Sequence, residues 1–131
     1  MSDTTTAPAA RRARRSARTM AGFLTGMGVL HLVKPEPFDS IIPAWVPGSA
    51  RSWTYGSGVA ELATAALLAV PRTRRVGGAV ASALFVAVFP GNLEMARQWR
   101  DRPAHLQAIS LGRLPLQALM VAQAEDIRRH A

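Results

Sequence analysis

Cysteine is absent from the 131 residues. That removes disulfides, thiol redox chemistry and thiolate metal sites from the possible functions. Histidine is scarce: His31, His105 and His130 share no paired spacing, so no zinc or other metal site is expected. Lysine is reduced to Lys34 alone beside fifteen Arg, in a formal net charge of +8. A balance of that sign admits nucleic acid, an anionic membrane surface or a positive-inside membrane protein. Placement separates the three. The arginines fall in blocks between apolar runs (Arg11, Arg12, Arg14, Arg15, Arg18; then Arg72, Arg74, Arg75; then Arg128, Arg129). Blocks of that kind are loop charges, not a groove for phosphates, so no nucleic-acid partner is expected. Long apolar runs are lacking too. The first, 19–33, spans only about 22 Å against a hydrocarbon thickness of about 30 Å, which keeps a soluble core-helix alternative open.

The chain is long enough for one domain of four helices with short connections. Residues 1–18 are Thr, Ala and Arg with almost no apolar side chain larger than Ala, and read as a disordered basic cytoplasmic tail. The four-span domain covers 19–127, with helices about 19–33, 54–70, 76–90 and 109–124. The first run carries Gly22 and Gly26, a G-x-x-x-G pair suited to close helix packing in lipid. Residues 34–53 hold Pro35, Pro37, Pro43 and Pro47 and read as a stiff loop. Its apolar centre, IIPAWVP, belongs on the bundle mouth or the membrane interface, with Trp45 and Trp53 as anchors. In the second run Thr54, Ser57, Glu61 and Thr64 fall at offsets 0, 3, 7 and 10, one face of a helix. Pro71 stops that helix. Gly78 and Ser82 share a face with Phe85, Phe89 and Asn92 in the third run, residues 93–103 read as a solvated charged loop, and Arg113 and Pro115 interrupt the fourth segment.

The expected fold class is therefore all-α, an integral membrane four-helix bundle. Four spans put ten basic residues on the side of the termini and five on the other (Lys34, Arg51, Arg97, Arg100, Arg102). The expected location is the cell membrane, multi-pass, with both termini cytoplasmic. Each helix then brings polar groups to its outer end: His31, Glu61 with Ser57, Asn92, and Arg113 with Gln117. Trp45 and Tyr55 lie on the same side. Glu61, about 10 Å below the start of its helix, is expected to be neutral or paired with Arg113 or His31, because a lone buried charge costs about 2.5 kcal/mol or more. His31, Trp45, Tyr55, Ser57, Glu61, Asn92, Arg113 and Gln117 are the candidate ligand-binding residues. Their alternative is a polar clasp that only locks helices together. No catalytic residue is assigned.

The strings GVLHLVKPEPFDSIIPAWVP, SGVAEL, PRTRR, VFPGNLEMA and RLPLQ carry a further signal. In order and spacing they resemble the DoxX-like family of small bacterial four-span membrane proteins, over about residues 22 to 123. The resemblance implies a membrane four-helix bundle and a link to quinone-dependent sulfur oxidation or redox-stress complexes. The absence of Cys argues against a member that itself exchanges thiols. The expected function is an accessory or redox-associated subunit, not an enzyme on its own, whose outer-leaflet pocket takes a quinone or similar small amphiphile. Expected partners are the lipid bilayer, membrane redox proteins and a second copy of the chain. A structural scaffold without small-molecule chemistry, and an oligomeric permease for a small solute, are the alternatives.

Overall fold

A computed structural model of the protein describes residues 6–131. The described residues are helical, without strands: α1 Thr6–Val33, α2 Glu36–Asp39, α3 Ala50–Ala69, α4 Arg74–Ala87, α5 Phe89–Gln98 and α6 Ala104–His130. Local chemistry sets the boundaries. The Ser49 hydroxyl accepts from the Ser52 amide at 3.2 Å and caps α3. Val70, preceding Pro71, is extended (φ −86°, ψ 122°) as the proline ring requires, and ends the same helix. Pro90 sits in the first turn of α5, where its missing N–H leaves no bond unmade. Gly48 turns the loop before α3 at φ +86°, a left-handed conformation. Trp53 Nε1 donates to the Pro47 carbonyl at 2.5 Å and holds that turn onto α3.

Four long helices make the bundle. α1 packs most extensively on α3 and α4 on α6, with α3 on α4 and a lighter seam between α1 and α6 completing the ring. Glycine makes two of these contacts close. A Cβ on Gly28 would lie 2.9 Å from the Gly58 carbonyl across the α1/α3 crossing, and one on Gly78 would lie 2.7 Å from the Ala124 carbonyl across α4/α6. The G-x-x-x-G pair is not one of them. Gly22 and Gly26 have nothing within 4 Å of a built Cβ, so within one chain that pair packs nothing. The short α2 is tied to α3 by Arg51 and Asp39 at 2.8 Å, and α5 to the α2 end by Gln98 Nε2 donating to the Ser40 carbonyl at 2.7 Å.

Four local expectations need correction. Residues 34–53, read as one stiff loop, contain α2 and the first turn of α3, because Pro35 fits just ahead of a helix and Ser49 caps the next. Residues 6–18, read as disordered, continue α1; residues 1–5 lie outside the described part. Ala13 and Ala17, 0% exposed, pack where Ala124 and Ile127 of α6 are equally buried, and Arg12 donates to both oxygens of Asp126 at 3.1 and 2.7 Å. An alanine stripe is enough to order a helix when another helix fills the space beyond it. Residues 93–98, read as solvated, belong to α5 and bury Met95. Pro115 does not interrupt the last helix, which runs through it from Ala104 to His130. Among the described residues, one helical run, Pro71–Gln98, is long and apolar enough to cross a membrane by length and composition.

Candidate functional site

The polar stripe of α3 lies on one face, as its spacing requires, and that face is turned inward: Thr54, Glu61 and Thr64 are buried and Ser57 is half-buried. Below it the core is apolar and mixes alanines with larger side chains, with Leu24, Ala65, Leu68, Ala81 and Phe85 among them. Above the core lies a cavity of about 430 Å³. His31 on α1, Ser57 and Glu61 on α3, Asn92 on α5, and Arg113 and Gln117 on α6 all line it. The loop from Ile41 to Pro47 covers it, with Trp45 among the lining side chains although three-quarters exposed on its other faces. The apolar IIPAWVP segment therefore lies over the bundle mouth. Tyr55 is the exception among the candidates. It points away, 40% exposed, and carries the Arg51 guanidinium over its ring at 5.6 Å.

The wall is mostly carbon, supplied by residues such as Met27, Leu84, Phe85, Val88 and Met120. Against that wall the polar groups divide into a satisfied set and an unsatisfied one. Asn92 Nδ2 donates to Gln117 Oε1, and Gln117 Nε2 to the Phe85 carbonyl, which joins α5, α6 and α4. His31 stacks on Phe38 with ring centroids 3.7 Å apart and planes 18° apart. Its Nδ1 lies 2.6 Å from the Met27 carbonyl. A carbonyl only accepts, so Nδ1 carries the proton and Nε2 is left without it in the neutral ring.

Glu61 is the unsatisfied member. It is 6% exposed, and its Oε2 has no hydrogen-bond partner among the described residues. The nearest basic group is His31 Nδ1 at 3.5 Å, already committed to Met27. Of the two partners expected for Glu61, His31 is the neighbour and Arg113 is not. The Arg113 guanidinium instead lies against the Met95 sulfur. The cavity therefore contains a carboxylate oxygen without a donor and a guanidinium without a carboxylate. Thr54 Oγ1, another lining group, is also buried and faces the Asp39 carboxyl of α2 without a well-formed hydrogen bond. The sequence placed Thr54 on the right face without marking it as a site residue. Met95 had no sequence signal, since nothing local reveals that α5 turns it under Arg113.

Outside the cavity the charges pair conventionally. On α5, Arg97 and Gln98 hydrogen-bond to Glu94. At the far end, Arg12 first, then His130, holds Asp126 below the usual carboxylate range. Arg128 and Ser82 do the same for Glu125, joining α6 to α4.

No curated protein and no solved structure matches the chain. One family model, described as a domain of unknown function (DUF8561), matches residues 20–128, from the middle of α1 to the last turn of α6 and so across all four long helices and the cavity. The chain belongs to the DUF8561 family.

Proposed function

We propose that the protein is a multi-pass membrane protein of the DoxX-like kind whose cavity holds the head group of a quinone or similar small amphiphile. What carries the membrane part is an inverted distribution of polarity. His31, Thr54, Glu61, Thr64, Asn92, Ser110 and Gln117 are buried inside the bundle. Large apolar side chains stand outside on every long helix: Val33 at 75% exposure, Val59, Val86 at 63% and Leu119 among them. In water this arrangement would cost twice, through exposed hydrocarbon and through desolvated polar groups. In lipid, hydrocarbon belongs outside and polar groups must face one another. The lengths of α1 and α3 agree, while α4, 14 residues and about 21 Å long, is long enough only as part of the Pro71–Gln98 run. At 1.5 Å per residue the 28 residues of α1 reach about 42 Å and the 20 of α3 about 30 Å, so the Arg-bearing first turns of α1 extend past the hydrocarbon. The excess of arginine where α1 starts and α6 ends supports a topology with that end in the cytoplasm and the cavity toward the outer leaflet.

The ligand part rests on the unpaired groups. A quinone head presents two carbonyl acceptors, for which Arg113 has free N–H donors, and its reduced form presents hydroxyls that the open Glu61 oxygen accepts. The protein would hold and orient the head group, with a membrane redox partner supplying electrons. Two measurements test this. The chain should stay in the membrane fraction after an alkaline carbonate wash, and lipid extracted from the purified protein should be enriched in quinone over bulk membrane. Release by the wash ends the membrane proposal; bulk-level quinone ends the ligand proposal alone. One observation favours a scaffold instead: the Asn92–Gln117–Phe85 chain is self-satisfied and already locks three helices. Glu61→Gln separates the two. A scaffold changes only in thermal stability, whereas a binding site also loses the retained quinone.

A further inference from the structure

A second, smaller cavity of about 350 Å³ lies in the seam between α1 and α6. Arg12 meets Asp126 while Phe23 shares this groove with Leu116, so the two helices run antiparallel along it. Its composition is graded. Arg15, Ser16, Thr19 and Gln123 line one end, and Phe23 and Leu116 the other, about 10 Å away at the helical rise. Toward the basic end the seam is shut, with Ala13, Ala17, Ala124 and Ile127 fully buried and Asp126 gripped by Arg12. Toward the middle it is open, with Phe23 and Leu116 each about half exposed.

The charge around the polar end is unbalanced. Arg12 and Arg128 have carboxylate partners, but Arg11, Arg14, Arg15 and Arg18 make no ion pair among the described residues. A bare phosphate would use only the polar end of the groove, and a neutral amphiphile would leave Arg15 uncompensated. A zwitterionic choline lipid would bring its own cation up to three further guanidiniums. Only an amphiphile with a net negative head matches both ends.

We infer that this groove binds one anionic phospholipid of the cytoplasmic leaflet, its phosphate on Arg15 and an acyl chain laid along Met20 and Phe23 toward Leu116. The guanidinium fork matches two phosphate oxygens, and Ser16, Thr19 and Gln123 add hydrogen-bond donors at the same end. Phe23, Leu116 and Met120 also line the larger cavity, so the acyl chain would brace the wall that the two cavities share. The site rests on the membrane location proposed above.

Native mass spectrometry of the full chain in mild detergent, titrated with phosphatidylglycerol or with phosphatidylcholine of the same acyl chains, tests the inference. One phosphatidylglycerol should be retained per chain at concentrations where phosphatidylcholine is not. Arg15→Gln should weaken that retention about tenfold, the loss of a charge-assisted contact. Arg72→Gln, at the same charged end but outside the groove, should leave it unchanged. Met120→Trp, which fills the apolar half, should weaken it without altering charge. Equal retention of the two lipids, equal losses from Arg15→Gln and Arg72→Gln, or inorganic phosphate competing as well as lipid would each overturn the site. So would a dimer that neither Arg15→Gln nor phosphatidylglycerol perturbs, which would put a second copy in the groove. Failure of the membrane location registers separately, as chain released by the carbonate wash.

Discussion

The α4/α6 contact at Gly78 allows the packing to be tested without knowledge of any ligand. Adding one methyl group, Gly78→Ala, puts a carbon 2.7 Å from both the Ala124 carbonyl oxygen and the Arg128 amide nitrogen, and 3.1 Å from the Arg128 Cα. Ordinary contact begins near 3.4 Å, so about 0.7 Å must be found. Every atom met is backbone, so no side-chain rotation can provide it. The helices must separate or the mutated turn must deform, at the overpacking cost of about 1 to 3 kcal/mol. Separation would also stretch the Ser82–Glu125 hydrogen bond, 2.8 Å long in the same interface. Gly22→Ala and Gly26→Ala are the controls, because neither new Cβ has anything within 4 Å. In them only the helix propensity changes, in favour of alanine by up to about 1 kcal/mol. Thermal unfolding in detergent should therefore show opposite signs. Gly78→Ala should lower Tm by roughly 4 to 12 °C, at about 4 °C per kcal/mol for a domain of this size, while the controls hold or rise. A Gly78→Ala protein as stable as the parent would mean that α4 and α6 do not approach this closely.

Gln117→Leu should cost about 1 to 3 kcal/mol, since it strands the Asn92 amide and the Phe85 carbonyl together, and a Tm equal to the parent's would show that the chain of amides does not join the helices. Removing residues 1–18 should lower Tm, because Ala13 and Ala17 are buried in the α1/α6 seam; a Tm unmoved by the deletion would restore the disordered tail. Stability should fall on acidification. The folded Asp126 carboxyl sits below its unfolded value, chiefly through its hydrogen bond from Arg12, so its contribution is complete above the unfolded carboxylate pKa of about 4 and lost as pH drops through the folded one. Asp126→Asn should flatten that acid limb in unfolding measured from pH 6 to pH 2, and an unchanged limb would place the dependence elsewhere, Glu125 first, whose carboxyl is also held down, by Arg128.

The sequence alone determined what depends on neighbours along the chain. Pro71 and the residue before it end α3 because a proline ring disfavours a helical predecessor, and the turn before α3 follows from prolines and Gly48. The shared face of Thr54, Ser57, Glu61 and Thr64 follows from 3.6 residues per turn, whatever the helix packs against, and the packing then turns it inward. The all-α class and the placement of an apolar loop over the bundle mouth were legible for the same reason. Tertiary structure decided which local options were used. Gly22 and Gly26 carried the better packing motif, yet Gly28, Gly58 and Gly78 make the contacts, because the crossing points depend on how the helices approach one another. Ala13 and Ala17 look too small to order a helix until Ala124 and Ile127 arrive to cover them. Glu61 was within sequence-level reach of both His31 and Arg113, and Tyr55 had the same claim to the cavity as Ser57 two residues on. Which of these meet depends on helix rotation and on the distance between helix ends. Those quantities are set by the packing of the whole bundle, and no single segment contains them.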